Sequence, residues 1–247
     1  PVMDYSDKLR NMSLERATRI FERWHTTSDS LISCMGSTGL VETSSPKLLS
    51  NMLELAEHYG AHYTIHLNQS QMEVEALMEM RGVRPTQSLF ENNYLGPKFL
   101  GAHARFLDKS EITVLGNTKS NISHQPAMAA RRGVIPPVCE LDEAGCLIGL
   151  GTDNNTQDMI EVMRVGLFTE RIHRSNGSVP QPEDYLEMAT IGSASAIGLD
   201  DRIGSLEIGK QADLFIVNGL TSNLVPTMRI VSGFIHNGHP GNIESVM

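Results

Sequence analysis

Cysteine is scarce in this sequence, and long apolar runs are absent. The 247 residues include only three cysteines, Cys34, Cys139 and Cys146, and no two of them form a CxxC pair. This odd, scattered set argues against a disulfide framework or a structural zinc knot and favours a reducing, cytoplasmic setting. No apolar run approaches the roughly 18 to 20 residues that a membrane-spanning helix needs. We therefore expect a cytoplasmic protein without a membrane partner.

Positive charge is also in short supply. The chain has 20 Lys and Arg against 29 Asp and Glu, which gives a formal net charge of −9. The negative charge is spread along the chain, and there is no polybasic stretch of the kind that nucleic acid or an anionic membrane attracts. The composition therefore argues against a nucleic-acid partner that is bound through bulk electrostatics.

Short apolar strands alternate with amphipathic helices over most of the chain. Because parallel strands cannot be joined by tight hairpins, this alternation predicts an α/β fold with a parallel sheet and crossover helices. Helices are predicted at Ser13 to Trp24, from Pro46 to a closing Gly60, and in QMEVEALMEMRG, DKSEITVLGNTK and DMIEVMRVGLFTERIHR. Strands are predicted in LISCMG, HYTIHL, FLGAHA, SNISHQP and CLIGLGTD, and a loop with Pro136 and Pro137 follows SNISHQP.

The pattern changes near residue 200. In IGSLEIGKQADLFIVNG, two short stretches are bounded by glycines, and the helical periodicity stops. The sequence therefore predicts two domains, a main domain over 1–200 and a small β domain over 201–247.

A polar residue that is capable of chemistry ends four of the predicted strands. These residues are His66 in TIHLNQS, His103 in GAHA, His124 in SHQP and Asp153 in GLGTDNN. In parallel α/β folds the carboxyl ends of neighbouring strands converge on one face, where the active site forms. Imidazole and carboxylate groups suit a divalent metal such as zinc, which lowers the pKa of bound water towards about 7.

Each of these residues also has an ordinary structural explanation. A single histidine is most often a core or surface group, and only the repetition at four strand ends favours a site. The acidic residues nearby need no catalytic role. Asp158 and Glu161 stand at the start of a predicted helix, where carboxylates interact favourably with the helix dipole. Glu73 and Glu75 are expected on a helix surface.

Five segments, taken in order, resemble the amidohydrolase superfamily. They are TIHLNQSQMEVE, GAHARFLDKSEITVLGNTKSNISHQPAM, GLGTDNNTQDMIEVMR, ATIGSASAIGL and IGSLEIGKQADLFIVN. The resemblance is strongest to the deaminase and chlorohydrolase branch, which includes S-adenosylhomocysteine deaminase, guanine deaminase and triazine hydrolases. It implies a distorted (β/α)8 barrel, here incomplete with about strands 4 to 8, and part of an appended β-sandwich.

The resemblance also implies a metal-dependent hydrolase of carbon–nitrogen bonds. One divalent metal, zinc or alternatively iron, would activate water against an amino-bearing or halogen-bearing carbon of a heterocyclic small molecule. His66 matches a metal ligand, and Asp153 matches an aspartate that binds the metal or takes a proton from the water. His103 matches a residue that polarises the ring or holds the water, and His124 matches a substrate-facing one. A homo-oligomer, a dimer, is expected.

Gln69 departs from the pattern of the family. The family has HxxE on this strand, and its glutamate moves protons to the leaving group, but here the fourth residue is Gln69. A neutral amide can donate and accept hydrogen bonds but has no proton that titrates near neutral pH. Gln69 is therefore a catalytic and substrate-binding candidate with altered chemistry, and Asp153 becomes the expected source of protons.

The HxH metal-binding pair of the family is absent from the chain. The resemblance therefore predicts a polypeptide that is truncated at both ends, with the two missing histidines before residue 1. Either another chain completes the fold or the polypeptide is a fragment, and the fragment is preferred. With only His66 and Asp153 as ligands, the affinity for metal should be low.

Three functions compete at this point. The first is deamination of a nitrogen heterocycle. The second is hydrolysis of a carbon–halogen bond, which Gln69 favours, and release of ammonia or of chloride separates these two reactions. The third is a catalytically silent binding or scaffold protein, and metal analysis would distinguish it from the enzymes.

Overall fold

The computed structural model describes residues 5–25, 31–154, 156–226 and 228–247. Its α-helices are α1 (Asp7–Trp24), α2 (Pro46–His58), α3 (Gln71–Arg81), α4 (Pro85–Glu91), α5 (Lys109–Asn117), α6 (Pro126–Arg131), α7 (Val138–Glu143), α8 (Met159–His173), α9 (Pro182–Glu187), α10 (Ser193–Ala196) and α11 (Ile230–Asn237). A π-helical turn occupies Met188–Gly192, and a 3-10 turn occupies Pro240–Asn242. The strands are β1 (Gly36–Leu40), β2 (Tyr63–Leu67), β3 (Phe99–His103), β4 (Asn121–His124), β5 (Leu147–Leu150), β6 (Phe215–Val217) and β7 (Ile243–Val246).

The predicted α/β class is confirmed. Strands β1 to β5 form a parallel sheet, and helices separate consecutive strands along the chain. Within the described ranges this sheet has five strands, fewer than the eight of a complete (β/α)8 barrel. The chain divides into two compact units, Pro1–Asn121 and Ile122–Met247.

The first unit is built around three parallel strands. β1 pairs with β2, with Leu40 beside His66, and β2 pairs with β3, with Leu67 beside His103. Because the strands run in the same direction, the carboxyl ends of β2 and β3 lie side by side. Apolar side chains from the sheet and from α2, α3 and α4 are buried in this unit: Leu49, Met52, Ile65, Leu67, Val74, Leu77, Leu89 and Phe99.

Local signals predict the well-formed helices. α2 begins at Pro46 as expected, and the Ser45 hydroxyl caps it by accepting the N–H of Leu48 at 3.1 Å. α1 begins at Asp7, earlier than the predicted Ser13, because Ser6 provides a cap there. Asp158 is the N-cap of α8, which confirms its structural role.

Two predictions about the elements are wrong, and a third is confirmed only in part. The strand expected in LISCMG begins only at the last residue of that run, Gly36, and covers GSTGL, because pairing with β2 decides its position, while Leu31 is 94% exposed. The loop expected after SNISHQP is present at Pro136 and Pro137, but it is shorter than expected, because the short helices α6 and α7 lie on either side of it. Helices continue past residue 200, since α11 covers Ile230–Asn237.

The second unit has its own core and a second small sheet. In this unit β4 and β5 are linked by the N–H of Gly151, which donates to the carbonyl of His124 at 2.8 Å. β6 pairs antiparallel with β7, so only one of the two stretches expected in IGSLEIGKQADLFIVNG forms a strand. The core packs α8, α9 and α11 together through Ile160, Met163, Leu167, Tyr185, Phe234 and Ile235.

In the described ranges, every helix is too short or too polar to cross a lipid bilayer.

Candidate active site

His66 is an exposed residue of β2, and its ring orientation is fixed by one hydrogen bond. Its Nδ1 lies 2.8 Å from the carbonyl oxygen of Gly39. A carbonyl can only accept, so Nδ1 carries the proton and Nε2 keeps a lone pair. Metal-bound histidines commonly donate their second ring nitrogen to a carbonyl in this way. His66 can therefore act as one nitrogen ligand through its Nε2.

His103 ends β3 and has the opposite tautomer. Its ring stacks on the ring of His66, with the centroids 5.3 Å apart and the planes 19° from parallel. The Nη2 of Arg105 donates to its Nδ1 at 2.9 Å, so in the neutral ring the proton is on Nε2. His103 is 6% exposed and has a φ of 80°. An N–H donor next to a potential ligand fits the predicted role of holding water or polarising a substrate.

Gln69 lies in a tight turn after β2, and a carboxylate holds its backbone. The two oxygens of Glu73 accept the N–H groups of Asn68 at 3.0 Å and of Gln69 at 2.6 Å. Glu73 was predicted on a helix surface, and that prediction is wrong, because its side chain is only 1% exposed. The neighbouring Glu75 is exposed as predicted.

The environment of Glu73 changes its acidity. Burial raises the pKa of Glu73 to about 7, the charge of Glu42 acts in the same direction, and the backbone N–H groups of residues 68–70 oppose the rise. A signal for this arrangement was present in the sequence. Ser70 and Glu73 have the Ser-x-x-Glu spacing of a capping box, in which the glutamate turns back towards the backbone before the helix.

His124 and Asp153 belong to the second unit. His124 is the last residue of β4 and is 3% exposed, while Asp153 is exposed in the turn after β5. Asp153 has a φ of 57°, and its Oδ1 accepts the N–H of Asn154 at 2.6 Å. The hydrogen bond from Gly151 to His124 brings the turn of Asp153 next to the end of β4. The structure thus pairs His66 with His103 in one unit and places the ends of β4 and β5 together in the other.

The ATIGSAS segment, residues 189–195, packs against β5. The Ser193 hydroxyl accepts the N–H of Leu150 at 3.0 Å and donates to the carbonyl of Met188 at 2.7 Å. A Cβ atom on Gly192 would lie only 2.8 Å from the carbonyl oxygen of Ile148. The small residues of this motif therefore allow a helical turn to contact the backbone of the strand that precedes Asp153.

A divalent metal fits these residues only in part. His66 has the tautomer of a ligand, but a catalytic zinc site normally has three protein ligands and an open position. In the part of the chain that the structure describes, no group of three or more His, Cys, Asp or Glu side chains could hold a metal ion. The described residues therefore supply an oriented ligand rather than a complete ligand set.

Known proteins are similar to this chain in sequence and in fold. A 5'-deoxyadenosine deaminase of Methanobrevibacter smithii is 29% identical over 98% of this chain and 57% of its own length. An adenosine deaminase from Xanthomonas campestris, solved with bound zinc, has a TM-score of 0.91 at 24% identity, covering 96% of this chain and 55% of that one. The zinc complex of atrazine chlorohydrolase from Arthrobacter aurescens TC1 has a TM-score of 0.90 at 20% identity, covering 98% and 56%.

These three matches cover nearly all of this chain but only part of each of the other proteins. The chain spans about half the length of the curated relative and of the two solved proteins. At these identities the two solved proteins establish a shared fold. The model of the amidohydrolase family matches residues 1–247, and the chain belongs to that family.

Proposed function

We propose that this chain supplies part of the active site of a metal-dependent hydrolase that deaminates a nitrogen heterocycle of the adenosine type. Membership of the amidohydrolase family and the deaminase relative support this reaction. The observation that supports it most directly is the stacked pair of His66 and His103, which combines a nitrogen lone pair with an N–H donor at adjacent strand ends.

The resemblance to the family assigns His66 and Asp153 to a divalent metal, with zinc expected first and iron as an alternative. When bound, such an ion would lower the pKa of a water molecule and so supply a nucleophile near neutral pH. In this proposal the N–H of His103 stabilises the negative charge that develops on the substrate or the water. His124, in the second unit, is proposed to face the substrate.

The proton balance of the reaction assigns roles to Gln69 and Asp153. In deamination the oxygen of water forms a bond to the ring carbon and the carbon–nitrogen bond breaks. One proton of the water passes to the departing amino group, which leaves as ammonia, and the other stays on the product, on the new oxygen or on a ring nitrogen. Gln69 can hold a ring nitrogen through hydrogen bonds, but its amide cannot deliver a proton. Asp153 is therefore the proposed group that moves protons.

Release of ammonia tests the proposal. We would measure it with 5'-deoxyadenosine and zinc, for this chain and for a hybrid protein in which this chain replaces the matching part of the Methanobrevibacter relative. We expect the hybrid to release ammonia, and we expect His66→Ala to reduce the rate by at least about 10-fold, because even loss of a group that only orients a metal ligand costs about 10- to 100-fold. His173→Ala, an exposed histidine on α8, should leave the rate unchanged. A folded, zinc-loaded hybrid without activity, under conditions where the relative is active, would refute the proposal.

Gln69 favours a second candidate, a hydrolase that removes chloride from a triazine-like ring. Chloride leaves as an anion and needs no proton, so the missing glutamate would matter less for this reaction. A panel of aminopurines, pyrimidines and chlorotriazines separates the two candidates, because one reaction releases ammonia and the other releases chloride. Release of neither product would favour a silent binding protein.

A further inference from the structure

Asn68 is a fully buried polar residue between the two histidine-bearing strands. It follows β2 directly, its exposure is 0%, and its φ is 45°. Its carbonyl oxygen accepts the N–H groups of Arg105 at 3.1 Å and of Phe106 at 2.9 Å. The backbone of Asn68 therefore joins the end of the His66 strand to the segment that follows His103.

The side chain of Asn68 uses both ends of its amide. Its Nδ2 lies 3.1 Å from each carboxylate oxygen of Glu111 and 3.2 Å from the carbonyl oxygen of Phe106, while its Oδ1 accepts the Thr86 hydroxyl at 2.9 Å. A group at this position must donate and accept at the same time. Among side chains of this size, an amide does so and a carboxylate or an aliphatic group does not.

Glu111 is a firm anchor for that amide. Its side chain is 1% exposed, and it accepts the Nε of Arg84 at 2.8 Å. It also accepts the backbone N–H groups of Thr86 at 3.2 Å and of Asp108 at 3.1 Å. Hydrogen bonds to a charged group are shorter and stronger than neutral ones, so this network resists displacement of Asn68.

We propose that Asn68 is a positioning residue that sets the spacing and the ring orientation of His66 and His103. His66 is two residues before Asn68, and His103 is the register partner of Leu67. A shift of Asn68 would therefore move both strand ends, together with the Gly39 and Arg105 contacts that fix the two tautomers. The use of the two histidines in catalysis rests on the proposed function, whereas their geometry does not.

Substitutions that differ in charge and size test this role. Asn68→Ala removes the amide, and Asn68→Asp places a carboxylate oxygen against Glu111, where like charges repel. Thr86→Val removes only the hydrogen bond from the Thr86 hydroxyl to Asn68. This milder variant keeps the test usable if the Asn68 variants do not fold. Asn121→Ala is the matched control. Asn121 is also buried, 1% exposed, and donates to the carbonyl of Pro97 at 2.7 Å from the first residue of β4.

Nitrogen NMR of the histidine rings gives a readout that does not depend on activity. In the parent chain we expect separate protonated and unprotonated nitrogen signals for His66 and His103, with opposite tautomers. In Asn68→Ala and Asn68→Asp we expect each ring to interconvert between its two tautomers, so that the protonated and unprotonated signals merge. In Thr86→Val we expect them to merge only in part. Asn121→Ala should preserve them even though it loses stability. Identical histidine signals in folded Asn68→Ala and in Asn121→Ala would overturn the proposal.

Turnover in the hybrid protein provides the second readout. A displacement of about 1 Å costs on the order of 10²-fold in rate, so we expect kcat to fall by about that factor in Asn68→Ala while Asn121→Ala keeps the parent value. An Asn68→Ala hybrid with the parent kcat would overturn the positioning role. If the parent hybrid itself is inactive, the proposed function fails, and the NMR result still decides the role of Asn68.

Discussion

The two histidines of the first unit differ in which ring nitrogen keeps a lone pair. Both use Nδ1 for a hydrogen bond, but the partner of His66 is an acceptor and the partner of His103 is a donor. The same side chain therefore becomes a potential metal ligand in one place and a hydrogen-bond donor in the other. The partners, Gly39 and Arg105, are as important for this difference as the histidines themselves.

Glu73 should make stability depend on pH. Its pKa is raised to about 7 from an ordinary value of 4.5. Between these two pH values the folded protein keeps a proton that the unfolded chain releases, and this difference contributes to the free energy of unfolding. This contribution is fully present below pH 4.5 and is lost as the pH rises through 7. At 1.36 kcal/mol per pKa unit, the loss between pH 5 and pH 8 is roughly 2 to 3 kcal/mol.

Glu73→Gln removes the titration. We expect the free energy of unfolding of this variant, relative to the parent, to rise by roughly 2 to 3 kcal/mol between pH 5 and pH 8. The lost acceptor for the turn adds an offset that does not vary with pH. Urea unfolding at several pH values measures both parts. Glu75→Gln, an exposed glutamate on the same helix, should show no such slope. A flat difference for Glu73→Gln would contradict the assignment.

At the scale of elements, the turn of Met188–Gly192 determines where β5 can lie. Helix propensity alone predicts that alanine at Gly192 would stabilise the turn by about 1 kcal/mol. However, the new Cβ would lie 2.8 Å from the carbonyl oxygen of Ile148 and 3.1 Å from that of Glu187. Neither backbone group can rotate away from the new Cβ. We therefore expect the steric cost, about 1 to 3 kcal/mol, to outweigh the gain in helix propensity.

We therefore expect Gly192→Ala to lower the thermal midpoint of the protein. Gly177→Ala is the control, because a Cβ there meets no atom within 4 Å. That substitution should be neutral or stabilising by about 0.4 to 1 kcal/mol, through the entropy of the unfolded chain. Calorimetry of the two variants gives the sign directly. An increase in stability for Gly192→Ala would mean that β5 and this turn are packed less closely than described.

Local sequence signals predict some of these elements and not others. Ser45 and Pro46 start α2 as expected. His66 is the penultimate residue of β2 and His103 is the last residue of β3, because the two strands have strong apolar or β-branched patterns. The position of β1 could not be predicted, because GSTGL has little strand propensity and becomes a strand through pairing with β2. Likewise, the Ser-x-x-Glu spacing of Ser70 and Glu73 predicts that the carboxylate turns back towards the backbone, but it does not predict the burial of Glu73.

At the scale of the whole chain, the number of available metal ligands limits the expected affinity for zinc. Two solved proteins that share the fold of this chain were solved with zinc, yet the described residues of this chain offer no group of three suitable ligands. Ligand count and geometry determine the affinity of a metal site. On the basis of the described residues, we expect the 247-residue chain to bind zinc weakly, even though the Nε2 of His66 keeps the lone pair that a ligand needs.

Thermal unfolding with and without zinc tests this expectation. A ligand at 100 times its dissociation constant stabilises a protein by about 2.7 kcal/mol, which corresponds to roughly 5 to 10 °C for a chain of this length. We expect a much smaller shift for this chain, and we expect the same shift for His66→Ala. In the hybrid protein, zinc should give the full shift and His66→Ala should reduce it. A full shift in the 247-residue chain that disappears in His66→Ala would instead mean that the chain completes a zinc site alone.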